Sequence, residues 1–234
     1  KDKIIVSKHR KTRENKEDKQ FKNRVKALMP KIDRPDLLLE VNQQLDLTSC
    51  FHHINESNTR MDHLDISVLA VLLAEACNIG FSPVSKEGIE SLKYDRLMYV
   101  NHQYVRLDTL SATNKKIISA YKKLPISLVW GNNQMASADG IRYTTPQRSL
   151  YSRSNPKYFG RSRGVTFYNF VSDQYIGFHG MVVPGTLRDS LYLLDGFLNQ
   201  TSGLEPKQIM TDTAGYSDLV FGLFGLLGFQ FSPR

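Results

Sequence analysis

Two aspartates are placed where their carboxylates could act together on a metal ion. Asp212 follows a short extended run, 207–211, and precedes an apolar helical run that Asp218 opens. Such strand ends are a common location for functional side chains in α/β domains. Asp139 lies inside another extended run, 73 residues earlier in the chain. If the two runs form neighbouring strands, the two carboxylates meet at one site.

The chemistry of such a pair follows from charge. Two carboxylates brought together repel each other, and shared divalent cations offset the repulsion. Mg²⁺ prefers oxygen ligands and is usually held by one or two carboxylates together with substrate phosphates. Two ions about 3.5–4 Å apart can activate a water or a 3′-hydroxyl and stabilise the leaving oxygen. The pair Asp139 and Asp212 therefore predicts phosphodiester cleavage or transfer with Mg²⁺, with Mn²⁺ as the alternative ion.

Each aspartate also has a structural interpretation. Asp139 and Gly140 fit an Asp-Gly turn, and Asp212 fits a cap of the following helix. His179, inside a predicted strand, is either near the site or a packed histidine, and we expect the latter. Four other aspartates compete for the metal role, and we interpret them as hairpin, helix-start or solvated helix residues: Asp173, Asp189, Asp195 and Asp218.

A run of cations and aromatic residues follows Asp139. Residues 140–164 contain six Lys or Arg, no acid, and interleaved tyrosines and phenylalanine. This composition suits phosphate contact and base stacking, whereas a merely solvated loop is the alternative. We predict that the six cations bind DNA: Arg142, Arg148, Arg153, Lys157, Arg161 and Arg163.

Hydrophobic periodicity predicts the elements that position these residues. Extended runs cover 134–143, 164–171 and 174–183, with a tight hairpin at 172–173, and further strands cover 207–211 and 229–231. A helix runs from Thr186 through Leu198, and a second covers 219–227. The second is apolar all round, which predicts burial on more than one side. This order predicts an RNase H-like mixed sheet with helices on both faces, in which the strands of Asp139 and Asp212 are neighbours.

The chain before this sheet is predicted to be mainly helical, and we place the domain boundary between residues 125 and 126. A helix over 65–78 would bury Ile66, Leu69, Leu73 and Ala76. Residues 99–105 are ambiguous between strand and loop, and residues 127–130 look extended.

The charge of the chain favours an anionic partner. Its 234 residues carry a formal net charge of +8, which suits nucleic acid or a membrane surface. Residues 1–29 alone hold eleven Lys or Arg and four Asp or Glu. Phe21, Val25 and Leu28 have helical spacing there. This segment is either a solvated linker helix or a surface that contacts the DNA backbone.

Cysteine content and hydropathy exclude several classes of protein. Cys50 and Cys77 have no CxxC spacing, which argues against a disulfide scaffold or a zinc site and fits a reducing compartment. No signal peptide or membrane span is apparent. The chain starts at Lys1 and ends at Arg234, and we expect it to be an excerpt of a longer protein.

Several stretches resemble the transposases of the Tn3 family of bacterial replicative transposons. The resemblance is nearly continuous over the last hundred residues, and a weaker likeness covers 36–41 and the helices through 124. The specific stretches are 137–140, 155–166, 168–174, 184–190, 209–218 and 226–234.

The resemblance implies a cytoplasmic, nucleoid-associated DDE transposase with an RNase H-like core. Such an enzyme binds terminal inverted repeats, nicks the 3′ transposon ends with Mg²⁺ and joins them to target DNA, and it is expected to be a homo-oligomer. The family's first two acids correspond to Asp139 and Asp212. Its third acid, a Glu, comes after the last strand present here, and the modules that recognise the transposon ends are missing as well. We therefore expect the 234-residue chain alone to be inactive.

Two other interpretations remain open at this point. The chain could be a non-catalytic DNA-binding fragment of a truncated transposase. It could also be an RNase H-like nuclease that does not join ends, although that function does not account for the family stretches.

Overall fold

The first half of the structure is helical. The computed structural model describes residues 15–55, 61–146, 148–184, 192–212 and 217–233. The helices of this half are α1 (Lys16–Leu28), α2 (Arg34–Leu45), α3 (Leu64–Ala76), α4 (Tyr94–Tyr104), α5 (Leu107–Tyr121) and the single turn α6 (Ser127–Trp130), with 3₁₀ turns at Leu47–Cys50 and Glu90–Leu92.

One hydrophobic core holds α3 and α4 together. Val68 and Val71 of α3 belong to the same cluster as Leu97 and Val100 of α4, and all four side chains are fully buried. By contrast, α1 buries no residue, and Phe21 keeps 68% of its surface exposed. The predicted apolar stripe of α1 is therefore helical but does not pack on the described part of the chain.

Three local predictions in this half need correction. Residues 99–104 belong to α4, because Leu97, Val100 and Tyr104 recur at helical spacing and are buried together. Residues 127–130 form the turn α6 rather than an extended run. In α3, Leu69 is buried as predicted, but Ala76 is exposed and the centre of the buried side lies at Val68 and Val71, because α4 packs against that side.

The second half is a six-stranded mixed sheet with helices. Its elements are β1 (Met135–Thr144), β2 (Arg153–Ser154), α7 (Pro156–Phe159), β3 (Arg163–Ser172), β4 (Gly177–Pro184), α8 (Tyr192–Leu198), β5 (Gln208–Thr211), α9 (Asp218–Leu226) and β6 (Gln230–Pro233). The strand order is β4-β3-β1-β5-β6, and the short β2 pairs with the start of β3. Antiparallel pairing joins β1 to β3 and β3 to β4, whereas β1, β5 and β6 are parallel. This order confirms the predicted RNase H-like mixed sheet.

Helices α8 and α9 pack on the same face of this sheet. Strand β4 runs in the same direction as β5 and β6, so α8 and α9 are successive crossovers that proceed in one direction across the sheet. Right-handed crossovers in one direction place their helices on one face. For the described residues, the prediction of helices on both faces is therefore wrong.

The two faces of the sheet differ in burial because successive side chains of a strand alternate. On the face that we call the core face, Ala136, Ala138 and Ile209 pack with Leu193 of α8 and Phe224 of α9. On the other face, which we call the open face, Ile141, Phe167 and Met210 keep 51%, 37% and 40% of their surface exposed.

Helix α9 is less buried than its sequence suggests. Only its side toward the sheet is buried, at Val220 and Phe224. On the outer side Leu219 is 60% and Leu226 85% exposed. An all-round apolar helix predicts burial on several sides, but no described element covers the outer one, so this prediction is wrong for the described residues.

The connection between β3 and β4 is longer than the predicted tight hairpin at 172–173. Strand β4 begins only at Gly177, and Tyr175 adopts φ +60° in the turn. The Asp173 carboxylate accepts hydrogen bonds from the backbone N–H of Asn132 and Asn133, at 3.2 and 2.8 Å. This turn is therefore shaped by the segment before β1, a distant contact that local sequence does not reveal.

The helix predicted from Thr186 is described only in part. Its start, including Asp189, lies outside the described residues, and α8 accounts for its later part. A search of the described helices for one long and apolar enough to cross a bilayer finds none.

Candidate functional site

Asp139 lies within an uninterrupted strand and points away from the core. It is exposed, whereas its neighbours Ala138 and Gly140 belong to the covered side of β1. The Asp-Gly turn interpretation is therefore wrong. Gly140 has a packing role instead, because a Cβ there would come within 3.0 Å of the Tyr168 ring and of Thr166.

The parallel pairing of β1 and β5 brings Asp212 level with Asp139. The two strands pair with Met135 opposite Gln208 and Ser137 opposite Met210. Extended by two residues beyond the last pair, and one residue past the end of β5 at Thr211, this register places Asp212 beside Asp139, on the open face. Neighbouring strands are about 4.8 Å apart. Residues 73 apart in sequence thus become neighbours, with Asp139 in the middle of β1 and Asp212 directly after the end of β5.

Asp212 does not cap the following helix. It comes directly after β5, and the N-cap residue of α9 is Ser217. The N-cap position predicted for Asp212 is thus occupied by Ser217, and residues 213–216 between them lie outside the described chain.

Asn169 is a site residue that the sequence analysis missed. It pairs directly with Asp139 across β1 and β3 and therefore shares the open face with it. It is half-buried, between the buried Tyr168 and Phe170. The available signal was a lone amide in a strand of aromatic residues. Its side-chain oxygen adds a third oxygen donor to the two carboxylates.

This donor set fits a divalent cation of the Mg²⁺ type. Carboxylate and amide oxygens are hard ligands, which suit Mg²⁺ and Mn²⁺ rather than zinc or copper. Among the described residues no group of three or more His, Cys, Asp or Glu is close enough to hold a metal. The residues that could hold such an ion at this position are the two aspartates, with Asn169 beside them.

The competing residues have other surroundings. Asp173 holds the turn before β1, as described above. Asp195 is exposed on α8 and accepts a hydrogen bond from Asn199 at 2.6 Å, and Asp218 starts α9. His179 lies on the core-face side, with its ring 5.5 Å from that of Phe170, and its burial lowers the pKa of the imidazole, against an opposing effect of Asp195.

Residues 140–164, which we call the basic segment, extend from the paired strands β1 and β3. Its chain passes through β2 and α7 rather than forming one irregular loop. The Asn155 side chain caps α7 by accepting from the N–H of Lys157 at 3.1 Å. Phe159 is buried against Gly164, where a Cβ would lie 2.3 Å from its ring. These contacts hold the segment against the sheet.

All six predicted DNA-binding cations are exposed to solvent, and they are Arg142, Arg148, Arg153, Lys157, Arg161 and Arg163. The guanidinium of Arg142 lies 4.0 Å from the centre of the Tyr158 ring.

Strand alternation divides these cations between the two faces. Arg163 precedes Val165 and Phe167 on β3 by even steps and is on the open face with Asp139. Arg142 and Arg153 pair with Thr166 and Gly164 and belong to the other side.

The chain is similar to known transposases. The family model described as the Tn3 transposase DDE domain matches residues 36–234. The transposase for transposon gamma-delta of Escherichia coli (strain K12) is 53% identical over 212 residues, 91% of this chain and 21% of the relative. The transposase for Tn4556 of Streptomyces fradiae is 42% identical, over 90% of this chain and 23% of the relative. The transposase for Tn1546 of Enterococcus faecium is 32% identical, over 93% and 22%.

A solved structure of a piggyBac transposase synaptic complex with hairpin DNA covers 86% of this chain and 50% of that chain, with 11% identity and a TM-score of 0.37. That likeness is too low to bear on function. The chain spans 21–23% of the length of the three relatives named above. Because the family model covers most of the chain, the chain belongs to the Tn3 transposase DDE domain family.

Proposed function

We propose that this chain supplies two of the metal-binding acids and part of the DNA-binding surface of a transposase that cleaves transposon ends and joins them to target DNA. One observation carries the proposal: the parallel register of β1 and β5, which sets Asp139 beside Asp212 on the open face. The names of the relatives support the reaction class. The DNA would be the terminal inverted repeats and the target, and a homo-oligomer would handle the two ends.

The residues of the site have distinct roles in this proposal. Asp139 and Asp212 hold Mg²⁺, or Mn²⁺ in its place, and Asn169 supplies an amide oxygen beside them. The bound ion contributes Lewis-acid stabilisation of the charge that develops at phosphorus. Because Asp139 is held within β1 by its pairing with β3 and Asp212 directly follows β5, the carboxylates need little rearrangement to receive the ion and the scissile phosphate.

The basic segment positions the DNA backbone. Its cations neutralise phosphates, and displaced counterions make such binding strongly dependent on salt. Among these cations, Arg163 is on the same face of the sheet as Asp139, the open face. We expect the DNA to cross that face from the basic segment toward the two carboxylates.

The 234-residue chain alone is expected to bind DNA without cleaving it. Glu205 is the last glutamate of the sequence and precedes β5, whereas the family's third acid follows the last strand. The second candidate function, a non-catalytic DNA-binding fragment, is favoured by the position of Glu205 before β5. Metal-dependent joining of labelled inverted-repeat ends by the purified 234-residue chain would refute the expected inactivity.

The test of the catalytic proposal uses a transposase of full family length that contains this chain. Asp139→Asn and Asp212→Asn should each lower the rate of 3′-end cleavage by a factor on the order of 10³ or more, since several kcal/mol of charge stabilisation are lost. Binding of inverted-repeat DNA should stay within a few-fold of wild type. Asp36→Asn, at an exposed position of α2, is the matched control. Cleavage near the wild-type rate in either site variant would remove that residue from the proposed site.

A further inference from the structure

An apolar groove lies between α2 and α3 in the helical half, outside the sheet that carries the two aspartates. It has a volume of about 320 Å³, and every described residue that lines it is apolar. Leu38 and Leu39 line it from α2, and Ile66, Ala70 and Leu73 line it from α3. Leu39 keeps 45% of its surface exposed. An open apolar groove of this kind is a typical binding site for an amphipathic helix.

Helix α1 of the same chain has apolar residues that are unpacked. Phe21, Val25 and Leu28, which we call the α1 stripe, are 68%, 41% and 86% exposed. Phe21 and Leu28 are seven positions apart, and so are Ile66 and Leu73, the first and last residues of α3 that line the groove. At 1.5 Å per residue, both sets extend over about 10 Å. The α1 stripe and the groove therefore match in length as well as in polarity.

The charges of α1 are complementary to those of the two helices that form the groove. Helix α1 has five Lys or Arg and two Asp or Glu, whereas α2 and α3 together have one Arg and four Asp or Glu. Arg24 adjoins the α1 stripe at Val25, and Glu40 adjoins the groove at Leu39. The exposed outer side of α9 fits the groove less well, because its charged residue, Asp218, has the same sign as the groove helices.

Helix α1 does not pack in the groove of its own chain, since all of its residues are exposed. Residues 29–33 connect α1 to α2, and Pro30 favours an extended conformation of Met29, which has ψ 130°. Asp33 is extended as well, with ψ 152°. An extended connection of this length spans at most about 17 Å. A second copy of the chain can therefore receive the α1 stripe while α1 stays attached to its own α2.

We propose that two copies of this chain associate by exchanging α1, so that the α1 stripe of each copy fills the apolar groove of the other. The exchange is reciprocal, because a twofold axis makes the two contacts identical. The stripe packs against α2 and α3 of the second copy, and the cations of α1 offset the acids of those helices. This association does not depend on the proposed DNA cleavage, and it supplies a contact for the expected homo-oligomer.

The test is sedimentation velocity of the 234-residue chain over a range of concentrations, without DNA or metal. The wild-type chain should show a monomer–dimer equilibrium that weakens as salt screens the charges. Phe21→Glu and Leu39→Glu should each weaken the dimer by at least about a hundredfold, because each puts an unpaired carboxylate into both apolar contacts. Leu128→Glu, at a position of α6 that is 72% exposed and outside the groove, is the matched control and should leave the dimer unchanged.

Mixing the two variants separates an exchange from other kinds of association. The Leu39→Glu copy retains an intact stripe and the Phe21→Glu copy an intact groove, so the mixture should form a heterodimer with one of the two contacts. Neither variant alone should dimerise at the same concentration. Phe21→Glu alters an exposed position, so it remains decisive even if Leu39→Glu unfolds the chain.

Three results would overturn the exchange. A chain that is monomeric at every concentration has α1 unpaired or folded onto its own groove. A dimer that survives Leu39→Glu in a folded chain uses stripe-to-stripe contacts or another surface. A monomeric chain whose binding of duplex DNA falls on Phe21→Glu would assign α1 to DNA instead. Because association is measured without DNA, its loss would leave the proposed catalytic function standing, and failure of the cleavage test would leave the exchange standing.

Discussion

The two faces of the same sheet differ in what their residues do. On the core face, Ala138 and Phe170 are a directly opposed pair and are almost completely buried. One residue further along, Asp139 and Asn169 form the next pair and point to the open face. Adjacent residues of the same two strands therefore belong either to the core or to the proposed site.

This difference shows how the fold supports the proposed chemistry. Packing on the core face fixes the register of β1, β3 and β5, and a shift of one residue would move every side chain to the other face. The positions of Asp139 and Asp212 depend on that register rather than on contacts with each other. Substitutions on the core face should therefore change stability, and substitutions on the open face should change binding and catalysis.

The largest difference in stability is expected between a variant at Phe170, on the core face, and a variant at Asp139, on the open face. Phe170→Ala should lower the free energy of unfolding by about 3–5 kcal/mol, because it leaves a cavity at a fully buried site. Asp139→Asn should change it by less than about 0.5 kcal/mol, as is usual for exposed positions. Chemical denaturation of both variants measures this. Equal destabilisation would contradict the division into two faces.

Two helical glycines provide a second contrast, between the inner and outer sides of the helix layer. A Cβ at Gly196 of α8 would lie 2.5 Å from the Phe170 ring, whereas nothing lies within 4 Å of one at Gly222 of α9. Gly196→Ala should destabilise the protein by about 1–3 kcal/mol through overpacking.

The control, Gly222→Ala, should stabilise the protein by up to about 1 kcal/mol, because alanine favours a helix. Thermal unfolding distinguishes the two signs. Destabilisation by Gly222→Ala would mean that the outer side of α9 is covered.

The sequence predicts the order of the main strands well, because an alternating pattern and turn residues are local signals. The register of β1 against β5 depends on contacts between residues 73 apart, and no local pattern contains it. The β3–β4 turn depends on Asp173 bonding to Asn132 and Asn133. Likewise, periodicity shows that α9 is apolar but not which of its sides another element covers. Asn169 was missed for the same reason, since its relevance comes from the residue opposite it.

A smaller difference, in duplex binding, is expected between two cations of the basic segment that lie on different faces. Arg163 is on the open face and Arg153 on the other side. Arg163→Gln should weaken duplex binding and reduce the slope of log K against log salt by about 1, as expected for one lost phosphate contact. Arg153→Gln should reduce the slope by less if the DNA crosses the open face. A salt titration of binding by fluorescence anisotropy measures both slopes, and a larger effect of Arg153→Gln would reverse the proposed DNA path.

The proposed function requires that Asp139 and Asp212 act as one metal site. Mn²⁺ binding to the 234-residue chain, followed by electron paramagnetic resonance, tests this with both single variants to asparagine and the double variant. A shared site predicts that each single variant loses most of the binding and that the double variant loses little more, because the two carboxylates hold the same ion. Unchanged Mn²⁺ affinity in either single variant, or losses that simply add in the double variant, would contradict it.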